Sequence, residues 1–172
     1  MMLHSLLSVV GRRFNRSALS TFVPKDFVIT GTFVNKPNPE IGSFSEVIHC
    51  FSQEEVNLFA TIMGDNNPLH NDPEFAKTTM FGGTIVHGIF VSSLFSTLFG
   101  RSIPGAVYMS QSLAFKKPVH VGKDVTARME IINVEPRKRN IVLTCLTTCR
   151  LADGTVAVEG EAKVMIPAKS SH

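Results

Sequence analysis

The spacing of apolar residues changes once along the chain. Between Gln53 and Phe99 they recur every three or four positions, and from Ala106 onward they alternate. The first pattern predicts helices and the second predicts strands. Ahead of both, Phe44 to Cys50 alternates Phe44, Glu46, Ile48 and Cys50 against Ser45, Val47 and His49, which suits a short strand.

Ser52-Gln53-Glu54-Glu55 places a serine cap three residues before a glutamate, and Val56, Phe59, Ala60 and Met63 follow as an apolar stripe. Gly64 ends that helix in the left-handed manner glycine permits. Asp65 to His70 is then expected to be a loop, because Pro68 pushes Asn67 away from helical angles. Asp72-Pro73-Glu74-Phe75-Ala76 opens a short second helix. Thr84 to Phe99 is the long helix, apolar around most of its circumference and hence expected to be buried on nearly all sides. Thr84, Gly88, Ser92 and Ser96 form a line of small residues along it, suited either to a ligand or to close packing.

Four alternating runs follow, centred on Val107–Phe115, Val125–Ile131, Ile141–Leu151 and Val156–Ile166, with Ala152-Asp153-Gly154 as a hairpin turn. One strand, helices and then four strands predict an α+β domain, an antiparallel meander wrapped on a central helix.

Residues 1–22 differ in kind. Arg12, Arg13 and Arg16 lie among apolar residues and serines, and the first acidic residue is Asp26. That composition predicts a mitochondrial transit peptide, with a frayed end as the alternative. Residues 23–43, rich in turn formers, are expected to be an extended lead-in to a domain over residues 44–168. The chain carries 17 Lys+Arg against 14 Asp+Glu, and setting the three leading arginines aside leaves 14 against 14. The basic balance therefore reads as an address and not as a nucleic-acid surface. Arg137-Lys138-Arg139 sits between two strand patterns, where a solvated hairpin tip is expected. No uninterrupted apolar run is long enough for a membrane helix. Cys50, Cys145 and Cys149 show no ligand spacing, and no metal or cofactor is expected. Cys145 and Cys149 share one strand pattern and would be too far apart to bridge.

Two stretches carry candidate chemistry. Asp65 and His70 place a carboxyl and an imidazole in one rigid connection, groups whose ordinary pKa values of about 3.9 and 6.5 suit acid–base work on one substrate. Either residue alone is as compatible with turn chemistry or core filling. Gly88 stands near a helix start, where unpaired N–H groups could hold a carbonyl oxygen, although packing alone would also explain a glycine. His87 reads as structural or pocket-lining.

Phe59 through Ala76, with Gly64-Asp65-Asn66-Asn67-Pro68-Leu69-His70 at its centre, resembles the hydratase-2 motif of the MaoC-like, (R)-specific enoyl-thioester hydratases. The similarity continues through Ile85-Val86-His87-Gly88, Pro104-Gly105, Gln111-Ser112-Leu113, Phe115 to Val119 and Gly160-Glu161-Ala162. With the leader it points to the mitochondrial 3-hydroxyacyl-thioester dehydratases of fatty-acid synthesis. The resemblance implies a hot-dog fold, a homodimer and reversible dehydration of (3R)-3-hydroxyacyl thioesters carried on acyl-carrier protein or CoA. It assigns Asp65 and His70 as the catalytic pair, Gly88 as the donor to the thioester oxygen, Asn67 as an orienting group and Ser96 as part of the acyl pocket. A hot-dog thioesterase is the rival enzyme, but such enzymes carry an acidic residue on the long helix and Thr84 to Gly100 has none. A non-catalytic acyl-carrier binding module would leave the intact Asp65 and His70 unexplained. Arg101, Lys116 and Lys117 are candidates for a pantetheine phosphate or an acidic carrier, or else ordinary surface charges.

Overall fold

A computed structural model describes residues 27–33 and 39–167. The expected leader lies outside the described residues. Strand β1 (Phe44–Cys50) is followed by helices α1 (Gln53–Met63), α2 (Pro68–Asn71), α3 (Pro73–Lys77) and α4 (Gly88–Ser102). Strands β2 (Val107–Gln111), β3 (Ala114–Phe115), β4 (Asp124–Pro136), β5 (Asn140–Leu151) and β6 (Val156–Pro167) complete the domain.

The sheet is antiparallel with order β1-β4-β5-β6-β2, and β3 also pairs with β6. Only β4, β5 and β6 form a meander, because β2 crosses to the far side of β6. The four-strand meander expected from alternation is corrected accordingly, since a period of two gives strand identity and not strand order. Val125, Ala127, Met129 and Ile131 of β4 face the core with Cys145 and Cys149 of β5 and Val158, Ala162 and Val164 of β6. Val91, Leu94, Phe95, Leu98 and Phe99 of α4 fill the space above them. This is the hot-dog arrangement, one helix held by a sheet. Burial pushes the Cys145 and Cys149 thiols up to about 12, so both stay protonated, and neither is in a disulfide.

Three further expectations change. The long helix starts at Gly88 and ends at Ser102 instead of spanning Thr84 to Phe99. The Val86 N–H donates to the Val119 carbonyl at 2.8 Å and Ile85 pairs with His120, so residues 84–87 run as an extended segment against the 119–121 connection. An alternating Ile85-Val86 start fits either state, and the tertiary partner decides. Nor is the helix buried on all sides: Ile89 is 59% exposed, and Ser93 and Ser96 are also open. Finally, the run Val107–Phe115 breaks into β2 and β3. A bulge lies between Tyr108 and Ser110, and the Ser112 carbonyl crosses directly over Gly160.

The lead-in is extended where described. Thr30 exchanges backbone hydrogen bonds with Glu46 at 3.0 and 2.8 Å, which covers the open edge of β1. Phe33 enters the core at 2% exposure, a burial that its turn-rich surroundings did not announce.

Candidate active site

The connection after α1 is built by local chemistry. Ser52 and Glu55 form a capping box at the helix start, and Gly64 closes its end at φ 76°. Asp65 then turns the chain, its Oδ1 accepting from the Asn67 N–H at 3.3 Å. Asn67 in turn accepts from the Leu69 N–H at 3.1 Å and caps α2, with Pro68 in the first turn. His70 is therefore on a one-turn helix, where the sequence predicted a loop. Proline excludes helical angles only for the residue before it, and it starts a helix well. Asp72 caps α3 by accepting from the Glu74 and Phe75 N–H groups, both at 3.0 Å.

Long-range contacts orient the ring of His70. Its Nδ1–H donates to the Ile85 carbonyl at 2.7 Å, so in the neutral ring Nε2 is the acceptor. The backbone beneath it is held from α1: the Gln53 side-chain amide donates to the His70 carbonyl at 2.8 Å and accepts from Thr84 Oγ1 at 2.9 Å. Sequence reasoning missed Gln53, because its partners lie 17 and 31 positions away. Only its place beside the capping serine could have drawn attention to it.

Asp65, His70 and His87 converge, each offering a ligand or proton-transfer atom within 4.8 Å of the others. The rings of His70 and His87 stack with centroids 3.7 Å apart, and His87 Nε2–H donates to the Asp65 carbonyl at 3.1 Å. His87 is buried at 3% exposure, whereas the Asp65 side chain is 55% exposed. Burial, with a smaller contribution from the neighbouring His70, holds the His87 imidazole below its ordinary pKa and keeps it neutral. The three donors are of the type a divalent transition ion takes, but the stacked rings would have to splay to face one ion.

Gly88 is the first residue of α4, adjacent to this cluster. Its N–H finds no acceptor among the described residues, as expected for a helix start. A Cβ at Gly88 would come within 2.7 Å of the Phe115 ring, so the backbone and that aromatic edge nearly touch. Asp65, His70, His87 and Gly88 are thus brought together. Asn67 faces solvent and its side chain is spent on capping. Ser96 lies two turns along α4, about 12 Å from Gly88 at 1.5 Å per residue, and is exposed. Lys116 pairs with Glu159, while Arg101 sits exposed in the last turn of α4. Three clefts of about 370 to 440 Å³ lie elsewhere, one of them on the outer sheet face among Glu46, Arg128 and Arg150. In a single chain the Asp65 side of the site is an open shelf.

Residues 35–149 match the family described as the MaoC like domain. An (R)-specific enoyl-CoA hydratase of Aeromonas caviae is 43% identical over 130 residues, 74% of this chain and 96% of that protein. The chain belongs to the MaoC-like dehydratase family. A mitochondrial 3-hydroxyacyl-[acyl-carrier-protein] dehydratase of Arabidopsis thaliana is 32% identical over 151 residues, 86% of this chain and 91% of the relative. The structure of an (R)-hydratase from A. caviae involved in PHA biosynthesis superposes with a TM-score of 0.72 at 41% identity, covering 77% of this chain and all of that one. This MaoC-like chain is accordingly an enzyme, a hydro-lyase with the hot-dog fold. Among its described residues no helix is long and apolar enough to cross a membrane.

Proposed function

We propose that this MaoC-like protein catalyses reversible dehydration of (3R)-3-hydroxyacyl thioesters to trans-2-enoyl thioesters. The observation that carries the reading is the convergence of Asp65 and His70 beside the free N–H of Gly88. In the hydration direction a water lies between the Asp65 carboxylate and His70 Nε2, both acceptors. The pair takes a proton from it as oxygen bonds to C3. Electrons move onto the thioester oxygen, where the Gly88 N–H and the positive end of α4 stabilise the enolate. The pair then returns a proton to C2. Dehydration runs these steps backwards.

The helix carries no acidic residue, and that favours this chemistry over thioester hydrolysis. Relatives named as mitochondrial carrier-protein dehydratases, together with the basic leader, support a place in the mitochondrial matrix and in fatty-acid synthesis. The reading includes a homodimer. Strand β2 is a sheet edge, Val107, Met109 and Phe115 on the β2–β3 edge are each at least half exposed, and Ile89 at the foot of α4 is open as well. A second copy there would close the shelf. The substrate is a CoA or acyl-carrier-protein thioester, and Lys117 and Arg101 are available to its phosphate.

Hydration of crotonyl-CoA, followed as loss of enoyl absorbance, tests the assignment. Asp65→Asn and His70→Ala should each lower kcat by about 10²- to 10⁴-fold while the fold is kept. Near-native turnover in both variants would end the reading.

A further inference from the structure

His87 occupies the N-cap position of α4, yet its side chain makes no capping hydrogen bond. Ser, Thr, Asp and Asn are the usual choices there because they satisfy a free N–H of the first turn. This chain gives up that stabilisation at the start of α4 while the neighbouring α2 keeps its Asn67 cap, and a local rule broken beside a candidate site calls for a functional reason. The side chain points back toward the preceding connection instead. Its Nε2–H reaches the Asp65 carbonyl 22 residues earlier, and its ring lies flat against His70 on one side and beside Phe59 of α1 on another.

We propose that His87 is a positioning residue for the dehydratase reaction: one neutral imidazole pins Asp65 through a hydrogen bond and His70 through ring stacking, and its own backbone sets the start of the helix that presents Gly88. The proposal rests on the functional reading above and adds a residue to it. All three features are referred to a single ring, which ties the backbone of Asp65 in the exposed loop of residues 64–67 to His70 and to the start of α4.

Two further facts fit this role. Among the described residues the buried Nδ1 of His87 has no hydrogen-bond partner. Protonating it would create a buried charged N–H with nothing to accept it, beside a second imidazole. The groups facing the ring are Asp65, His70 and the apolar Phe59, and burial already holds the ring in its neutral form. A neutral ring with its proton on Nε2 is the state that donates to Asp65 and stacks on His70 without repelling it.

The test uses the full chain and two variants that divide the two contacts. His87→Phe keeps a ring against His70 and loses the donor, while His87→Gln keeps a side-chain N–H and loses the ring. In crotonyl-CoA hydration, His87→Phe should lower kcat by roughly 10- to 100-fold with KM changed less than about threefold, the signature of misplaced reacting groups. His87→Gln should recover severalfold of that loss. Both variants retaining kcat within about twofold of the unmodified chain would overturn the proposal, as would a loss confined to KM. Ring-nitrogen NMR of the unmodified chain decides the matter even where a variant fails to fold. His87 should be neutral with its proton on Nε2 at pH 7, and a proton on Nδ1 or an imidazolium there would overturn the clamp. An unmodified chain that does not hydrate crotonyl-CoA would sink the functional reading, while the NMR result would still judge the placement of Asp65.

Discussion

Replacing Gly160 by alanine should break the β2–β6 seam while leaving the Asp65, His70 and His87 cluster untouched. An added Cβ would stand 1.7 Å from the Ser112 carbonyl oxygen and 2.7 Å from its carbon. Both are backbone atoms, so no rotamer change relieves the clash, and the Gln111-Ser112 kink must retreat by more than an ångström. That retreat severs the Ser112 N–H to Glu161 carbonyl bond and the Glu161 N–H to Ser112 Oγ bond, both 2.9 Å, and the 2.9 Å bond from the Gln111 amide to the buried Thr147 hydroxyl. At a net ~1 kcal/mol each the loss is about 3 kcal/mol, and it grows if Thr147 is left without a partner. For a chain of this size that corresponds to a fall in Tm of roughly 6–12 °C. A thermal melt by circular dichroism reads it directly. A melting point within about 2 °C of the parent would refute the reasoning, because the kink would then have moved without losing its bonds.

Other consequences follow from the same geometry. Gly88→Ala meets only the half-exposed ring of Phe115, which can swing aside, so stability should change by less than about 1 kcal/mol. In the proposed binding mode the added methyl crowds the thioester oxygen, and kcat/KM for crotonyl-CoA should fall by at least tenfold in steady-state assays. Gln53→Ala removes the bonds to the His70 carbonyl and Thr84 Oγ1 and should lower kcat by about tenfold with a nearly unchanged KM. Because the folded chain holds the His87 pKa below its ordinary 6.5, the unfolded chain binds the extra proton. The stability this contributes is present above pH 6.5 and is lost as pH falls below it, so His87→Phe should flatten the drop in denaturant midpoint between pH 7 and pH 5. Cys145 and Cys149, both fully buried and shifted to about 12, should resist a maleimide at pH 8 until the chain is denatured, as mass spectrometry would report.

The sequence by itself determined most of the kinds of elements and named the candidate reactive groups. The capping box at Ser52, the glycine stop at Gly64 and the aspartate cap at Asp72 are local chemistry, read from neighbours within four positions, and each forms as expected. The alternation after Ala106 gave the strands and the core face of β4, and the run from Asp65 to His70 gave the candidate pair. Tertiary structure alone decided where the long helix begins, since the Val119 carbonyl and His120 draw residues 85 and 86 into an extended segment. It also decided the crossing of β2, the entry of Phe33 into the core, and the use of Gln53 and His87 to hold the pair. These depend on partners 17 to more than 30 positions away, and periodicity carries no information about which distant face an element will meet.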